Sequence, residues 1–312
     1  MPYHFKKWYI ELQSDEGHLF FSIFSDIRFG VFRFLQVKGY YFFQNQFQRA
    51  FETNLPVSSI KEDSTGNYRG IWGEIQVNSK GFTLHIQHKN LILNFQTSVT
   101  ELLQNSNCKH EINRINGAGS ILWVPLSLSE HGQLSLNYGD LVLKLEGNCY
   151  VDRVSSNIYP WKVPIKKLFW GHNGDRSNRM VYTITQLTGN VTGTLFFMNK
   201  EKKIKKIDAI QRFSEEKITG KSEGIHSVFV ELSGKSASPS LRIEPDQMVH
   251  RSGYFEDENG NWSLARRFLH TISLKPTGIK YFSNIKLVES GKPFRGITFP
   301  QCFSEMVIFD KE

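Results

Sequence analysis

Apolar and polar residues alternate in short runs along nearly the whole chain. "KKWYIELQS" and "GHLFFSIFSD" flank Asp15-Glu16-Gly17 and predict a hairpin. "YYFFQNQF" predicts a further strand, and residues 70–98 alternate over two strands around Asn78-Ser79-Lys80-Gly81. In that pair Ile75, Val77, Phe82, Leu84 and Ile86 share the inward face expected of a half-buried sheet. "LVLKLEGNCYVDRV" follows, then "RMVYTITQLTGNVTGTLFFMNK" with a turn at Gly189-Asn190, and later "IHSVFVELSG", "HRSGYFED", "RFLHTISLK" and "SEMVIFDK". Strand and turn signals at such close spacing predict all-β barrels or sandwiches. Only "SVTELLQNS", residues 98–106, predicts a helix, a short one capped by Ser98 or Thr100.

One stretch breaks the pattern. "EGNCYVDRVSSNIYPWKVPIKKLFWGH", residues 146–172, gathers Tyr150, Asp152, Tyr159, Trp161, Trp170 and His172 around Pro160 and Pro164. The prolines exclude a central strand there and predict a long crossing segment, with Asp152 at the end of the preceding strand. The expected domains are residues 1–170 and 171–312.

Composition narrows the function classes. The chain has 312 residues and a net charge of +8. Its densest basic run, "NKEKKIKKID" at residues 199–208, reads as a charged hairpin tip. No face pairs basic residues with stacking aromatics, so nucleic acid is not an expected partner. The charge would suit contact with an anionic membrane surface. Cys108, Cys149 and Cys302 are widely separated and form no zinc spacing, which fits reduced thiols in a cytoplasmic protein. The first residues lack the apolar core of a signal peptide, and no run is long enough to span a membrane as a helix. His85 and His88 stand three apart on one predicted strand, hence on opposite faces, which argues against a shared metal. "GAGS", residues 117–120, lacks the rest of a dinucleotide fingerprint, and there is no GxSxG elbow. No cofactor or metal is expected.

Asp152 is the candidate with the most chemistry. A carboxyl among aromatics has its charged form disfavoured and can then donate a proton near neutral pH. Neighbouring rings would stabilise a carbocation through their π faces. The plainer alternatives are that Asp152 pairs with Arg153 or caps a turn, that Trp123 in "GSILWVPL" is core, and that "LFWGH" is a strand in which Gly171 permits close approach.

Three pieces in order, "KKWYIEL", "GSILWVPL" and "GNCYVDRV…PWKVPIKKLFWGH…VYT", resemble the carotenoid 1,2-hydratase (hydroxyneurosporene synthase) superfamily, which includes tocopherol-cyclase-like proteins and lipocalin-like pericyclases. The resemblance covers residues 7–185, with a late "FSEMVIF" containing Glu305. It implies two lipocalin-like β-barrels packed together, with the substrate site in the first barrel or between the two. It also implies a catalytic Tyr-x-Asp, matched by Tyr150 and Asp152, and an important Trp in a His-x-Trp, matched by Trp123. Tyr159, Trp161, Trp170 and His172 are the further expected substrate contacts. Two positions depart from the family: Ile121 stands where the His of His-x-Trp belongs, and His172 where Arg usually follows Trp-Gly.

The expected activity is acid-initiated addition of water to a terminal alkene of an isoprenoid or polyene, a lipophilic small molecule. If a substrate hydroxyl captures the cation, the enzyme is a cyclase. A pericyclase that mainly orients its substrate and a non-catalytic carrier of a hydrophobic ligand are the other readings.

Overall fold

The computed structural model describes residues 3–63, 66–79, 81–99, 110–115, 119–159, 162–174, 178–198, 204–208, 210–217, 226–232, 239–253, 275–289 and 297–310. Among them the chain is all-β, without an α-helix. The expected helix at 98–106 falls almost wholly outside the described residues, as do Pro160, Trp161, Cys108 and the first half of the basic run. The contacts divide the chain into two units, Met1–Ile158 and Tyr159–Glu312. This division lies N-terminal to the expected 170/171 boundary, which would cut through a strand.

The first unit is one twelve-stranded sheet. Its first half is a meander of β1 (Tyr3–Gln13), β2 (His18–Phe29), β3 (Phe32–Phe43) and β4 (Gln46–Leu55). The second half holds β5 (Lys61–Glu62), β6 (Tyr68–Gly70), β7 (Gly73–Asn78), β8 (Gly81–His88) and β9 (Leu91–Thr97). The long hairpin β11 (Gly119–Tyr138) and β12 (Leu141–Ser156) joins the halves, because β12 pairs with β1 while β11 pairs with β9. β10 (His110–Ile115) pairs with β11. A turn falls where expected at Asp15–Gly17, the expected Asn78-Ser79-Lys80-Gly81 turn lies between β7 and β8, with Lys80 outside the described residues, and the turn expected at Gly189-Asn190 lies one residue earlier, at Thr188–Gly189. At the β3–β4 hairpin both Gln44 and Asn45 take positive φ, 49° and 63°, the backbone of a two-residue turn whose twist matches the strands.

Alternate residues of nearly every strand converge on one core. Trp8, Ile10 and Leu12 from β1 meet Phe20 and Phe24, Val37, Phe51, Ile75, Phe82, Leu84, Ile86, Phe95 and Val151, with Val77 packed against them. The sheet therefore curls on itself: Trp8 lies 5.6 Å from Phe82, Phe24 lies 5.4 Å from Trp72, and Phe51 lies 5.3 Å from Tyr138, between ring centroids. At one end this interior carries an ionic network. Asp26, fully buried, accepts from Arg28 Nη2 (2.8 Å), Arg33 Nη2 (2.8 Å) and Tyr68 OH (3.0 Å), and Glu62 pairs with Lys6 and Arg28. The inside of the first barrel is thus filled by rings and ion pairs.

The second unit is a nine-stranded sheet. Its strands are β13 (Ile165–Gly174), β14 (Arg179–Leu187), β15 (Asn190–Met198), β16 (Ile204–Asp208), β17 (Ile210–Lys217), β18 (His226–Leu232), β19 (Pro239–Gly253), β20 (Lys275–Glu289) and β21 (Ile297–Asp310). β13 pairs with the last strand, β21, which joins the β13–β16 and β17–β21 meanders into one sheet running from β16 to β17. Phe169, Tyr182, Val230, Ile243, Ile279 and Met306 form its core. Gly171 is required by packing: a Cβ there would meet Tyr182 OH at 2.7 Å and the Phe303 carbonyl at 2.8 Å.

Most of the stretch at 146–172 is strand. β12 runs on to Ser156, so Asp152 sits inside it and not at its end, and only residues 157–164 connect to β13. The alternating Cys149-Tyr150-Val151-Asp152 keeps pairing with β1 and β11, which outweighs the local proline signal downstream.

Candidate functional site

Burial shows where the first sheet departs from an ordinary one. β8 alternates buried and exposed, as a sheet with one wet face must. In contrast Trp8–Leu12 of β1, Trp123–Leu128 of β11 and Cys149–Asp152 of β12 are buried at every position. Their even-numbered or odd-numbered halves enter the core described above. The other halves form a second buried layer on the opposite face, and that layer is rich in polar groups.

Asp152 belongs to this second layer and is 3% exposed. Its Oδ2 accepts Tyr150 OH at 2.9 Å and Trp123 Nε1 at 3.0 Å. Tyr150 reaches it because residues two apart on a strand share a face. Trp123 reaches it because β11 and β12 pair, with Trp123 opposite Val154. The ladder is broken beside the site by a β-bulge between Pro125 and Ser127, facing Asp152 and Val151. Bulges re-aim side chains in this way, and the proline, lacking an N–H, is tolerated there. Burial first, then the neighbouring Asp152, hold the Tyr150 hydroxyl well above the ordinary phenol range, so Tyr150 acts as a donor. Arg153 occupies the other face, its guanidinium 5.2 Å from the Trp8 ring.

β1 adds two residues that the sequence reading did not single out. Tyr9 stands directly across from Asp152, and Glu11 directly across from Tyr150. Tyr9 OH donates to Glu11 Oε2 at 2.7 Å, Gln13 Nε2 donates to Oε1 at 2.8 Å, and the Tyr9 and Tyr150 rings lie 6.1 Å apart. Tyr9, Glu11, Tyr150 and Asp152 are all buried. The signal that could have found them is the spacing itself: Tyr9-Ile10-Glu11 repeats the Tyr-x-acid pattern of Tyr150-Val151-Asp152.

Trp170 and His172 lie in the second unit, on the face of β13 opposite its core. Trp170 Nε1 donates to Glu305 Oε2 at 2.7 Å, and Lys280 Nζ donates to Glu305 Oε1. The three form a cross-strand row over β13, β21 and β20. His172 stacks along Trp170 at 6.1 Å, with Phe303 at 6.2 Å. Tyr159 is half-buried, with Lys162 Nζ 5.7 Å from its ring. The structure therefore brings together Asp152, Tyr150 and Trp123, and pairs Trp170 with Glu305, with His172 stacked along Trp170. Trp161 lies outside the described residues.

Other chemistry is sparse. His85 and His88 both lie on β8, and His85 Nδ1 meets Asn94. Among the described residues no cluster of His, Cys, Asp and Glu could hold a metal ion. Cys149 and Cys302 are buried thiols outside any disulfide; burial pushes both up, Cys302 to about 12, which removes thiolate character. A groove of about 510 Å³ on the exposed face of β8, β9, β11 and β12 is lined by His85, Asn94, Gln96, Gln133, Lys144 and Glu146 and includes none of the candidate residues.

The two all-β units give the chain a lipocalin-like fold. It is similar over nearly its whole length to CghA (TM-score 0.62, 9% identity, 98% of this chain and 88% of that one). Kievitone hydratase from Nectria haematococca matches with a TM-score of 0.57 and 10% identity over 98% of this chain and 89% of that one. A candidate AttH from Nitrosomonas europaea matches with a TM-score of 0.56 and 10% identity over 99% and 93%. No family model matches the sequence, and no curated protein matches it either. At such identities the likeness carries the fold, and activity has to be argued from the site.

Proposed function

We propose that the chain is an enzyme that adds water to an alkene of a lipophilic isoprenoid or polyene, with Asp152 as the proton donor. One observation carries this reading: a buried carboxyl whose Oδ2 takes hydrogen bonds from two neutral donors of its own unit, Tyr150 and Trp123. Those two bonds make Oδ2 the carbonyl-like oxygen, so the acid's proton belongs on Oδ1. The alkene π pair takes that proton, forming a C–H bond and leaving a tertiary cation and the Asp152 carboxylate. The faces of Trp123 and Tyr150 favour the cation electrostatically. A water oxygen then bonds to the cationic carbon and releases a proton, giving a tertiary alcohol. The likeness in fold to kievitone hydratase supports hydration as a reaction this scaffold accommodates.

Ile121 favours a second reading. With no imidazole two residues before Trp123, a hydroxyl of the substrate could capture the cation in place of water, which makes the enzyme a cyclase. Trp170 and His172 carry no step in either reading; they belong to the Glu305 row.

The test is incubation with acyclic carotenoids in deuterated water, followed by mass spectrometry. Hydration gives a product heavier by one water with deuterium on carbon, and cyclisation gives deuterium on carbon without added water. A folded Asp152→Asn protein that retains full activity would sink the acid assignment. A ligand recovered unchanged and without deuterium would favour a carrier or a pericyclase.

A further inference from the structure

The hairpin joining β2 to β3 ends in apolar side chains that the fold leaves in solvent. Its two-residue turn is Gly30-Val31, and Gly30 takes a φ of 58°, so the glycine is what the turn requires. A polar residue would serve the turn as well after it. Instead Val31 and Phe32 follow, 89% and 58% exposed. Among the described residues they are the one pair of exposed large hydrophobics adjacent in the chain. Single exposed apolar residues are ordinary, but contiguous ones call for a partner. Phe47, also exposed, packs edge-on against Phe42 with ring centroids 5.6 Å apart, whereas no described ring lies against Phe32.

The strands behind this tip carry two arginines directly across from each other, Arg28 on β2 and Arg33 on β3. Like charges so placed cost a sheet stability. Here both guanidiniums are anchored at 2.8 Å to Asp26, and Arg28 also pairs with Glu62. The shared acid is sealed inside at 0% exposure, while the Arg28 and Arg33 side chains keep 34% and 21% of their surface in water. Three cations, Lys6, Arg28 and Arg33, face two carboxylates, Asp26 and Glu62, so the network keeps a net positive charge. Each arginine lies one residue, about 3.3 Å of strand, behind the Phe29–Phe32 pair that closes the hairpin.

We propose that the β2–β3 tip docks on an anionic lipid surface, with Val31 and Phe32 entering the bilayer interface and Arg28 and Arg33 lying at its headgroups. A small apolar insert and basic residues behind it are two weak signals that together give reversible membrane association. The chain's net charge of +8 acts in the same direction. A protein partner fits this tip less well. Two side chains on a turn offer far less than the roughly 1,000 Å² that a specific protein interface buries. The arginines would also repel the same tip of a second copy. The proposal stands apart from the alkene-addition reading, although a lipophilic substrate would be dissolved in the same phase.

Flotation of the full chain with vesicles of phosphatidylcholine, with and without phosphatidylserine, tests the proposal. Wild type should float with the serine-containing vesicles, bind the neutral ones more weakly, and be released as salt is raised. Phe32→Asp and Val31→Asp should each weaken binding to the anionic vesicles about tenfold, while Phe32→Leu, still apolar, should bind like wild type. Val31 sits in the turn, so Val31→Asp should keep the wild-type unfolding midpoint and carries the test if Phe32→Asp does not fold. Wild type that floats with neither vesicle overturns the proposal. Equal binding to both vesicle types overturns the role of the arginines. Asp variants that bind like wild type would place the contact elsewhere, for example at the basic run of residues 199–208, and overturn it as well. Self-association of wild type that Val31→Asp abolishes, without flotation, would assign the tip to a second copy and overturn the lipid reading.

Discussion

Both units hold a tryptophan that donates its indole N–H to a buried carboxyl on the face opposite the core, Trp123 to Asp152 in the first and Trp170 to Glu305 in the second. A second described partner of each acid differs. Tyr150, a neutral phenol, shares Oδ2 of Asp152, while Lys280, an ammonium, takes the other oxygen of Glu305. A neutral donor leaves the acid able to gain or lose a proton at modest cost. A buried ammonium fixes its partner as a carboxylate, because either charge alone would be uncompensated. On the proposed reading, the same tryptophan–acid contact serves proton transfer in the first unit and accompanies an ion pair with Lys280 in the second.

The largest expected break in this comparison is in turnover. Asp152→Asn should lower the rate by about 10²–10⁴-fold, the range for losing a general acid, and should leave unfolding free energy within about 1 kcal/mol, because the amide oxygen still accepts Tyr150 and Trp123. Product formation and urea midpoints check the two halves. Lys280→Met should do the reverse, costing roughly 3–5 kcal/mol of stability by stranding Glu305 in the interior. An unfolding midpoint equal to wild type would show that Glu305 is not ionised there.

The interior ionic network provides a third test. Burial pushes the Asp26 carboxyl up, but hydrogen bonds and charge from Arg33 and Arg28 outweigh this and hold it below the ordinary carboxylate value. A depressed folded value contributes stability above the unfolded value, and that stability is lost as pH falls through the folded one. Wild type should therefore weaken in acid, whereas Asp26→Asn should be about 3 kcal/mol less stable at neutral pH and less sensitive to acid. Denaturant titrations across this pH range measure it. The smallest effects concern the tryptophans. Trp123→Phe should slow turnover roughly tenfold, about 1.4 kcal/mol of barrier. Trp170→Phe should cost about 1.5–3 kcal/mol of stability, since it removes a donor from an ionised acid.

Much of the fold was legible because sheet residues obey a period of two. Ile75, Phe82, Leu84 and Ile86 are buried as their alternation requires, and the turn at Asn78–Gly81 joins their strands. The same period puts Tyr150 and Asp152 side by side on one face of their strand. It did not expose Glu11, because a strand's partner is not written in its own residues. Eighteen positions after Asp152 in the chain, Trp170 belongs to another sheet, which strand pairing and not sequence proximity decides.

By itself the sequence determined the class of elements, the hairpins, and the side-chain pairs two residues apart, since these depend on local geometry and on which residues avoid water. Only the tertiary structure decided which strands became neighbours and which faces were buried twice. Pairing β12 with both β1 and β11 is what brings Glu11, Tyr9 and Trp123 to Asp152. That choice is made by the packing of a whole sheet around its core, where contacts distant in the chain outweigh the preferences of any one segment.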